Sequence, residues 1–316
     1  MKIHPSILLL RVKIFILLIL ILLQSIILYK LFLKSIEING DIQSYLEFIK
    51  GNPLELTFDF EPVSFVIFKF IGVFPENFHF AILYIVSLIG LILSNYIIFK
   101  KTKGSLSWVL FYGICIMPFA CAINLRTGYG FLFLLLFGFR RVTVFLLPLF
   151  HASLATFLVA LRMRMNFLRI LLIFVLLMFF TYIIGDLVLN KFSSYLLYYL
   201  QGQSILGIII ELFILSLFTI YFFKIYTPLN RFLLQRVIVT LFLISIVFSP
   251  IAIISSRFIT LIYFALIISR FYSIKKVKSS KSLISFKNLI FSGLFVGLFL
   301  FRMYRILTMF GYSEPL

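Results

Sequence analysis

Long, uninterrupted runs of hydrophobic residues follow one another along the whole chain. They are continuous and do not alternate with polar positions, which is typical of membrane-embedded helices and excludes the strands of a β-barrel. In lipid, only a helix or a closed barrel satisfies its own backbone hydrogen bonds. The pattern therefore predicts an all-α, polytopic transmembrane helical bundle of about ten membrane-embedded segments. The segments close to the required length are residues 14–33, 78–99, 106–124, 167–185, 204–223, 237–255, 258–274 and 287–304.

Other apolar stretches are too short or too interrupted for a simple crossing. They are 62–74, 127–139 and 142–163, and the last is divided by Pro148 and His151. Lysine and arginine cluster between the apolar runs, and the positive-inside rule places such clusters in the cytoplasm. They would fall on alternating sides if every segment crossed. We therefore expect short re-entrant or interfacial helices near 62–74 and within 127–163, with either 127–139 or 142–163 re-entrant.

Composition supports a membrane location, since 63% of the residues are hydrophobic and only 12% are charged. So little polar surface does not cover a soluble globule of this size. The net charge of +19 could indicate nucleic-acid binding. The cations lie in clusters beside apolar runs, however, and are interpreted as topology determinants. We expect one integral membrane domain over residues 1–316 that binds no nucleic acid.

Acidic residues are concentrated near one end of the chain. Most of the ten lie in residues 34–77, which we expect to form an external acidic loop with an interfacial helix. A second external loop is expected at 186–203. There is no Asp-x-Asp motif, no glycine-rich phosphate loop and no His/Cys cluster, so neither a bound catalytic metal nor a cofactor is predicted.

Several polar motifs interrupt the apolar pattern on the expected external side. They are Gly40-Asp41-x-x-x-Tyr45 with Glu61-Pro62-x-x-Phe65, then Asn124-Leu125-Arg126 with Phe150-His151-Ala152-Ser153, and finally Tyr195 and Ser256-Arg257-Phe258. Taken in this order, they resemble the O-antigen and exopolysaccharide polymerases of the Wzy/EpsG type over roughly residues 40–260. Thr127 follows Arg126 where that family frequently has Gln.

The resemblance implies a metal-independent, GT-C-like membrane glycosyltransferase in the bacterial inner membrane, with its active site facing the periplasm. Such an enzyme transfers the growing glycan from undecaprenyl pyrophosphate to a sugar hydroxyl of the acceptor. Its implied partners are the undecaprenyl-pyrophosphate-linked glycan donor and acceptor, membrane lipid, a chain-length regulator and a flippase.

This chemistry requires cations at the leaving pyrophosphate and a base at the acceptor hydroxyl. Arg126 and Arg257 are isolated cations on the expected external side and are the leading pyrophosphate-binding candidates, although either could instead reach lipid headgroups. Arg140 and Arg141 join them only if they face outward, and are otherwise cytoplasmic topology anchors.

His151 lies in an apolar stretch, where a polar side chain needs a partner or a cavity. It is predicted to be the base or a hydrogen-bond donor to pyrophosphate, with a structural hydrogen bond as the alternative. Asp41 and Glu61 are the candidate carboxylates for the base or for sugar hydroxyls. Tyr45 and Tyr195 are predicted to stack on sugar rings.

Two other functions are compatible with a basic, polytopic chain. A flippase or transporter of the same lipid-linked oligosaccharide would be expected to contain repeated halves and intramembrane acids. The sequence shows no repeat, and Asp186 and Glu211 are predicted to lie at helix edges. A membrane O-acyltransferase would also use an embedded histidine, but would leave the Arg/His spacing unexplained.

Overall fold

The structure is a computed structural model that describes residues 5–37, 41–51, 62–162, 205–228, 231–247, 252–275 and 281–309. These residues are helical apart from connecting turns and two short strands. Helices Leu8–Glu37, Glu76–Lys101 and Leu206–Ile225 are long and apolar enough to cross a bilayer. The helical, membrane-type character predicted from the hydrophobic pattern is confirmed in the described part of the chain.

The chain forms two compact units, Met1–Ala155 and Thr156–Leu316. The helices of the first unit are α1 (Pro5–Glu37), α2 (Asp41–Lys50), α3 (Pro62–Ile71), α4 (Glu76–Lys101), α5 (Leu106–Cys115), α6 (Leu125–Phe137) and α7 (Arg141–Leu146), with a π-helix at Pro118–Ile123 and 3₁₀ turns at Leu147–Leu149 and Ala152–Leu154. Helix α8 (Ala155–Arg162) follows.

In the second unit, the helices are α9 (Ile205–Ile225), α10 (Arg231–Val247), α11 (Ala252–Phe271) and α12 (Lys281–Met309). Strands β1 (Tyr226–Pro228) and β2 (Ser273–Lys275) pair antiparallel, with Thr227 opposite Ile274. They join the ends of α9 and α11, whose last turns contain Lys224 and Arg270. Basic residues therefore gather at one end of this unit.

Helix α4 is at the centre of the first unit and contacts α1, α5 and α6. A polar contact within this group joins Gln24 of α1 to Asn95 of α4, whose Nδ2 donates to Gln24 Oε1 at 2.7 Å. Both side chains are buried. Gly113 of α5 lies against Gln24, and a Cβ at that position would collide with the amide. Hydrogen bonding and close packing together therefore hold α1, α4 and α5.

Most predicted helix positions agree with the structure, with specific differences. Segment 106–124 is not one helix, because α5 ends at Cys115 and a π-helix begins at Pro118. Proline lacks the backbone N–H that the next α-helical turn would need. The helix predicted over 237–255 is likewise wrong at its C-terminal end, since α10 ends at Val247 and α11 begins at Ala252. Segment 167–185 lies outside the described residues.

The predicted acidic loop contains a helix that the sequence analysis did not identify. Helix α2 buries Ile42, Tyr45, Leu46 and Ile49, which lie on one helical face at i, i+3, i+4 and i+7. Helix α3 has ten residues, a rise of about 15 Å, and is therefore too short to cross a bilayer. This length agrees with the interfacial or re-entrant position expected for 62–74.

Residues 125–154 form a helical hairpin. Helix α6 ends at Gly138, whose φ of 78° lies in the left-handed region that favours glycine. The chain then returns through α7 and the 3₁₀ turn around Pro148 to His151, beside Asn124 at the start of α6. The division of 142–163 at Pro148 and His151 is therefore confirmed. The first arm of the hairpin, α6, is a continuous helix, and the returning arm is interrupted around Pro148.

Candidate functional site

The first turn of α6 is the centre of the candidate site. Asn124 is the N-cap of α6, and its Oδ1 accepts a hydrogen bond of 3.2 Å from the backbone N–H of Thr127. Arg126 is the second residue of the helix. Gly128 packs so closely on the carbonyl of Ala120 that a Cβ there would collide with it. This contact fixes the start of α6 against the π-helix.

His151 is brought to the same place by the returning arm of the hairpin. Its side chain is 5% exposed, and its Nε2 lies 3.3 Å from Asn124 Nδ2. On the other side of the ring, Nδ1 lies 2.7 Å from Ser153 Oγ and 3.0 Å from the backbone nitrogen of Ser153. The two polar motifs around Asn124 and His151 are therefore in direct contact.

Neighbouring contacts hold the returning arm in position. The hydroxyl of Ser64 in α3 donates to the carbonyl of Phe150 at 2.9 Å. The ring of Phe150 lies against Phe133 of α6, with centroids 5.0 Å apart. Gly130 faces Leu154, and a Cβ at this glycine would collide with the leucine side chain. Three separate contacts on both sides of His151 thus fix its backbone.

Tyr45 and Arg126 also come together. The guanidinium carbon of Arg126 lies 5.9 Å from the ring centroid of Tyr45, within cation–π range. The Tyr45 ring stacks on Phe68 of α3, with centroids 4.8 Å apart and planes inclined by 28°. Tyr45 is therefore buried between an arginine and a phenylalanine, and its sugar-stacking role stays a prediction.

Asp41 is the first residue of α2, four residues before Tyr45. A carboxylate in the first turn interacts favourably with the helix dipole. Residues i and i+4 share a helix face, so Asp41 lies one turn from Tyr45. The other end of α2 is held by Lys50, which forms a 2.5 Å ion pair with Glu76 of α4. The acidic motif that contains Asp41 therefore belongs to the same unit as Arg126 and His151.

Arg140 and Arg141 are not part of this cluster. They are exposed and lie just after the C-terminal end of α6, whereas Arg126 lies in its first turn. The thirteen residues of α6 rise by about 20 Å, which separates the two ends. The pyrophosphate-binding role predicted for Arg140 and Arg141 is therefore not supported alongside Arg126.

The remaining predicted site residues lie elsewhere. Arg257 is in the second unit, in the second turn of α11, and is half-buried. Glu61 and Tyr195 lie outside the described residues. In the part of the chain that the structure describes, no group of three or more His, Cys, Asp and Glu side chains is arranged to hold a metal ion.

The second unit contains a buried charged cluster that the sequence analysis missed. The carboxylate of Glu211 in α9 accepts hydrogen bonds of 2.9 Å from Tyr263 Oη and from Arg302 Nη1, and it also pairs with Arg305. Arg302 Nη2 donates to Thr260 Oγ1 at 2.7 Å. The cluster therefore joins α9, α11 and α12.

The prediction that Glu211 lies at a helix edge is wrong. Glu211 is in the second turn of α9 and has no exposed surface. Its arginine partners come from α12, about ninety residues later, so the acid alone gave no indication of its partners. The signal that was available is a pair of arginines three residues apart inside an apolar run, which places both on one helix face.

No protein family model, no curated protein and no solved structure matches this chain.

Proposed function

We propose that the protein is a GT-C-like membrane glycosyltransferase that polymerises oligosaccharide units carried on undecaprenyl pyrophosphate, as an O-antigen polymerase does. The observation that carries this proposal is the meeting of Arg126, Asn124 and His151 at the positive end of α6. A basic, amide-rich helix N-terminus suits the phosphate oxygens of a lipid-linked donor.

The reaction would break the bond between the donor's anomeric carbon and its phosphate oxygen. The bonding electrons leave with the pyrophosphate, and an acceptor hydroxyl forms the new carbon–oxygen bond and gives its proton to a base. Arg126 would stabilise the leaving charge, with its guanidinium oriented by Tyr45. Asp41, Glu61 and His151 are the candidates for the base. Arg257, in the second unit, stays a predicted phosphate-binding residue.

The proposal includes the inner membrane as the location and the periplasmic side as the face on which Arg126 and His151 act. The clustered cytoplasmic cations support this orientation. Re-entrant or broken backbone at membrane depth is tolerated where it is buried in protein or lines an aqueous cavity. The broken returning arm around His151 meets this description, which supports its assignment as the substrate side of the hairpin.

Specific observations favour each of the other functions. The buried Glu211, with its arginines, is an intramembrane acid of the kind expected in a transporter or flippase of lipid-linked oligosaccharide. The 2.7 Å contact between Ser153 Oγ and His151 Nδ1 places a hydroxyl beside a histidine, as an O-acyltransferase would need. The polymerase proposal accounts for Arg126 as well, and is therefore preferred.

Deletion of the gene, followed by electrophoresis of the surface polysaccharide, separates these functions. Loss of a polymerase leaves single capped repeat units, loss of a flippase leaves no repeat units at the surface, and loss of an acyltransferase leaves a full ladder. The polymerase proposal requires the first result and a restored ladder when the wild-type gene is returned. Either of the other two patterns would refute it.

A further inference from the structure

The end of the second unit that contains strands β1 and β2 collects cations from several elements. Lys224 is in the last turn of α9 and Arg270 is in the last turn of α11, and the strands after these helices pair with each other. In the register of the strands, Tyr226 lies opposite Lys275. Helix α10 begins three residues after β1 and contains Arg236 in its second turn. Positive charge is therefore concentrated where these helices and strands meet.

Arg270 is held against the first residue of β1. Its guanidinium carbon lies 4.6 Å from the ring centroid of Tyr226, in cation–π contact. The Tyr226 ring lies in turn against Phe222 of α9, with centroids 5.1 Å apart. A contact of this kind uses the charge of the guanidinium and none of its five N–H donors. Tyr226 therefore holds Arg270 in place while its donors remain for another partner.

The donors of Arg270 find no acceptor in the described part of the chain. Its Nε is buried and has no hydrogen-bond partner there. The side chain as a whole is partly exposed, so an external acceptor would reach the terminal NH₂ groups. Lys224 is exposed, and its Nζ lies 4.9 Å from the ring centroid of Tyr221. Both cations thus rest on tyrosine rings and point no donor at a carboxylate among the described residues.

No acidic side chain nearby balances this charge. Among the described residues of the second unit, the acid is Glu211, which is already paired with Arg302. It lies in the second turn of α9, whereas Lys224 lies in the last, so the two are about 20 Å apart along the helix. The anion that compensates Lys224 and Arg270 is therefore expected from outside the described chain.

We infer that Arg270 and Lys224 bind the phosphate of an anionic phospholipid headgroup at the β1–β2 end of the second unit. Arg270 supplies a planar fork of N–H donors, and Lys224 supplies a mobile point charge. This binding site lies outside the unit that contains Arg126 and His151, and it does not depend on the proposed polymerase function.

The position of the site favours a lipid over free phosphate. Helix α9 is long and apolar enough to cross a bilayer, so Lys224 in its last turn falls at the level of the headgroups. The positive-inside rule places this basic end in the cytoplasm, where anionic lipids attract cations beside the membrane. A zwitterionic headgroup would bring its own ammonium close to Lys224 and Arg270. An anionic headgroup is therefore the preferred ligand.

Binding is tested by native mass spectrometry of the full chain in detergent micelles, with phosphatidylglycerol or phosphatidylcholine of the same acyl chains added. We expect the wild type to retain phosphatidylglycerol more tightly. Arg270→Gln removes the charge and the fork, so it should weaken phosphatidylglycerol retention about tenfold and leave phosphatidylcholine retention unchanged. Equal retention of the two lipids by the wild type would overturn the site.

The matched control is Lys101→Gln. Lys101 is an exposed cation in the last turn of α4, another helix long enough to cross the bilayer, and is expected on the same side of the membrane. The substitution removes the same charge, and we expect it to retain phosphatidylglycerol as the wild type does. If both variants lose affinity equally, overall charge attracts the lipid and the site at Arg270 is refuted.

Tyr226→Leu keeps every cation but removes the ring that holds Arg270, so phosphatidylglycerol affinity should fall severalfold. Tyr226→Phe, which keeps the ring, should behave as the wild type. Size-exclusion chromatography checks that each variant is folded. If Tyr226→Leu is not, Arg270→Lys is measured instead, and the same severalfold loss is expected because lysine lacks the fork. Undiminished affinity in the folded variant would contradict the proposed geometry.

The unfolding midpoint distinguishes lipid from free phosphate. Phosphatidylglycerol should raise the midpoint of the wild type and not that of Arg270→Gln, because a ligand of the folded state stabilises it. Inorganic phosphate should leave both midpoints unchanged. An equal rise of the wild-type midpoint with inorganic phosphate alone would assign the site to free phosphate and overturn the lipid assignment.

Discussion

The guanidinium of Arg302 lies 2.9 Å from the carboxylate of Glu211, and neither side chain is exposed. The two residues belong to α12 and α9, so the ion pair spans the second unit. Tyr263 Oη shares the same carboxylate oxygen. Removing one member of a buried pair leaves the other charge without compensation, which costs far more than the loss of a surface pair.

We therefore expect Glu211→Gln to destabilise the protein by roughly 3–5 kcal/mol, because Arg302 and Arg305 would lose their shared carboxylate. The measurement is the unfolding midpoint in detergent micelles. Glu37→Gln is the matched control, since Glu37 pairs with Lys34 at an exposed position and its loss should change the midpoint little. Equal midpoints for both variants would contradict a stabilising role for the cluster.

Arg126→Lys should lower polymerase activity by about ten- to a hundredfold while the protein still accumulates in the membrane. Lysine keeps the charge but loses the planar fork that binds phosphate and contacts Tyr45. Ladder length on a gel and immunoblotting of membranes provide the two measurements. Arg11→Lys, at an exposed position in α1, should behave as wild type. A normal ladder from Arg126→Lys would make Arg126 a headgroup anchor.

The same exchange at Arg257 tests the second unit independently. If Arg257 also binds the pyrophosphate, Arg257→Lys should shorten the ladder to a similar extent, with unchanged membrane abundance. A full ladder from this variant would assign Arg257 to contacts with lipid headgroups instead.

His151→Gln should retain partial polymerase activity. Glutamine keeps an amide donor for a phosphate oxygen and an acceptor for the Ser153 N–H, but cannot accept a proton usefully near neutral pH. His151→Ala, which removes both groups, should lose nearly all activity. The control is His79→Gln, because His79 is also buried and hydrogen-bonds the Phe74 carbonyl at 2.7 Å outside the site. Near-complete inactivity of a stable His151→Gln protein would instead identify a base.

Topology is tested with single cysteines. Positions Gln43 and Gln203 fall in the expected periplasmic loops, so cysteines there should react with a membrane-impermeant thiol reagent added to intact cells. A cysteine at Lys101 should react only after the cells are opened. The native Cys115 and Cys121 are buried and should contribute little background. Absence of labelling at both loop positions, or labelling of position 101 from outside, would reverse the proposed orientation.

The sequence predicted features that depend on neighbouring residues better than features that depend on contacts between distant segments. The apolar runs containing α4 and α9 are long, so their positions follow from hydrophobicity alone, although Glu211 lies within α9. Pro148 marks the broken arm of the hairpin for a local reason, the missing N–H. Pro118 likewise lacks the backbone N–H, but it lies inside an apolar run, and the π-helix that begins there was not predicted. The amphipathic pattern of α2 was not recognised, because acidic residues lie within and around it in the sequence.

The site was predicted in part for the same reason. Arg126 and His151 were recognisable as polar residues in apolar surroundings, which is a property of each position by itself. The role of Asn124 depends on His151, twenty-seven residues later. Glu211 similarly depends on Arg302. Such pairings arise only when distant helices pack, so hydrophobic periodicity does not contain them.

The close approach of Gly128 to the Ala120 carbonyl limits which sequences can build this hairpin. Alanine would place a methyl group inside the contact, so replacement at this position should disturb the turn that holds Asn124 and Arg126. Gly293 and Gly297 of α12 have nothing within 4 Å among the described residues. A saturation library should therefore recover many side chains at positions 293 and 297 and only glycine at 128, a difference in mutational tolerance between residues of identical chemistry.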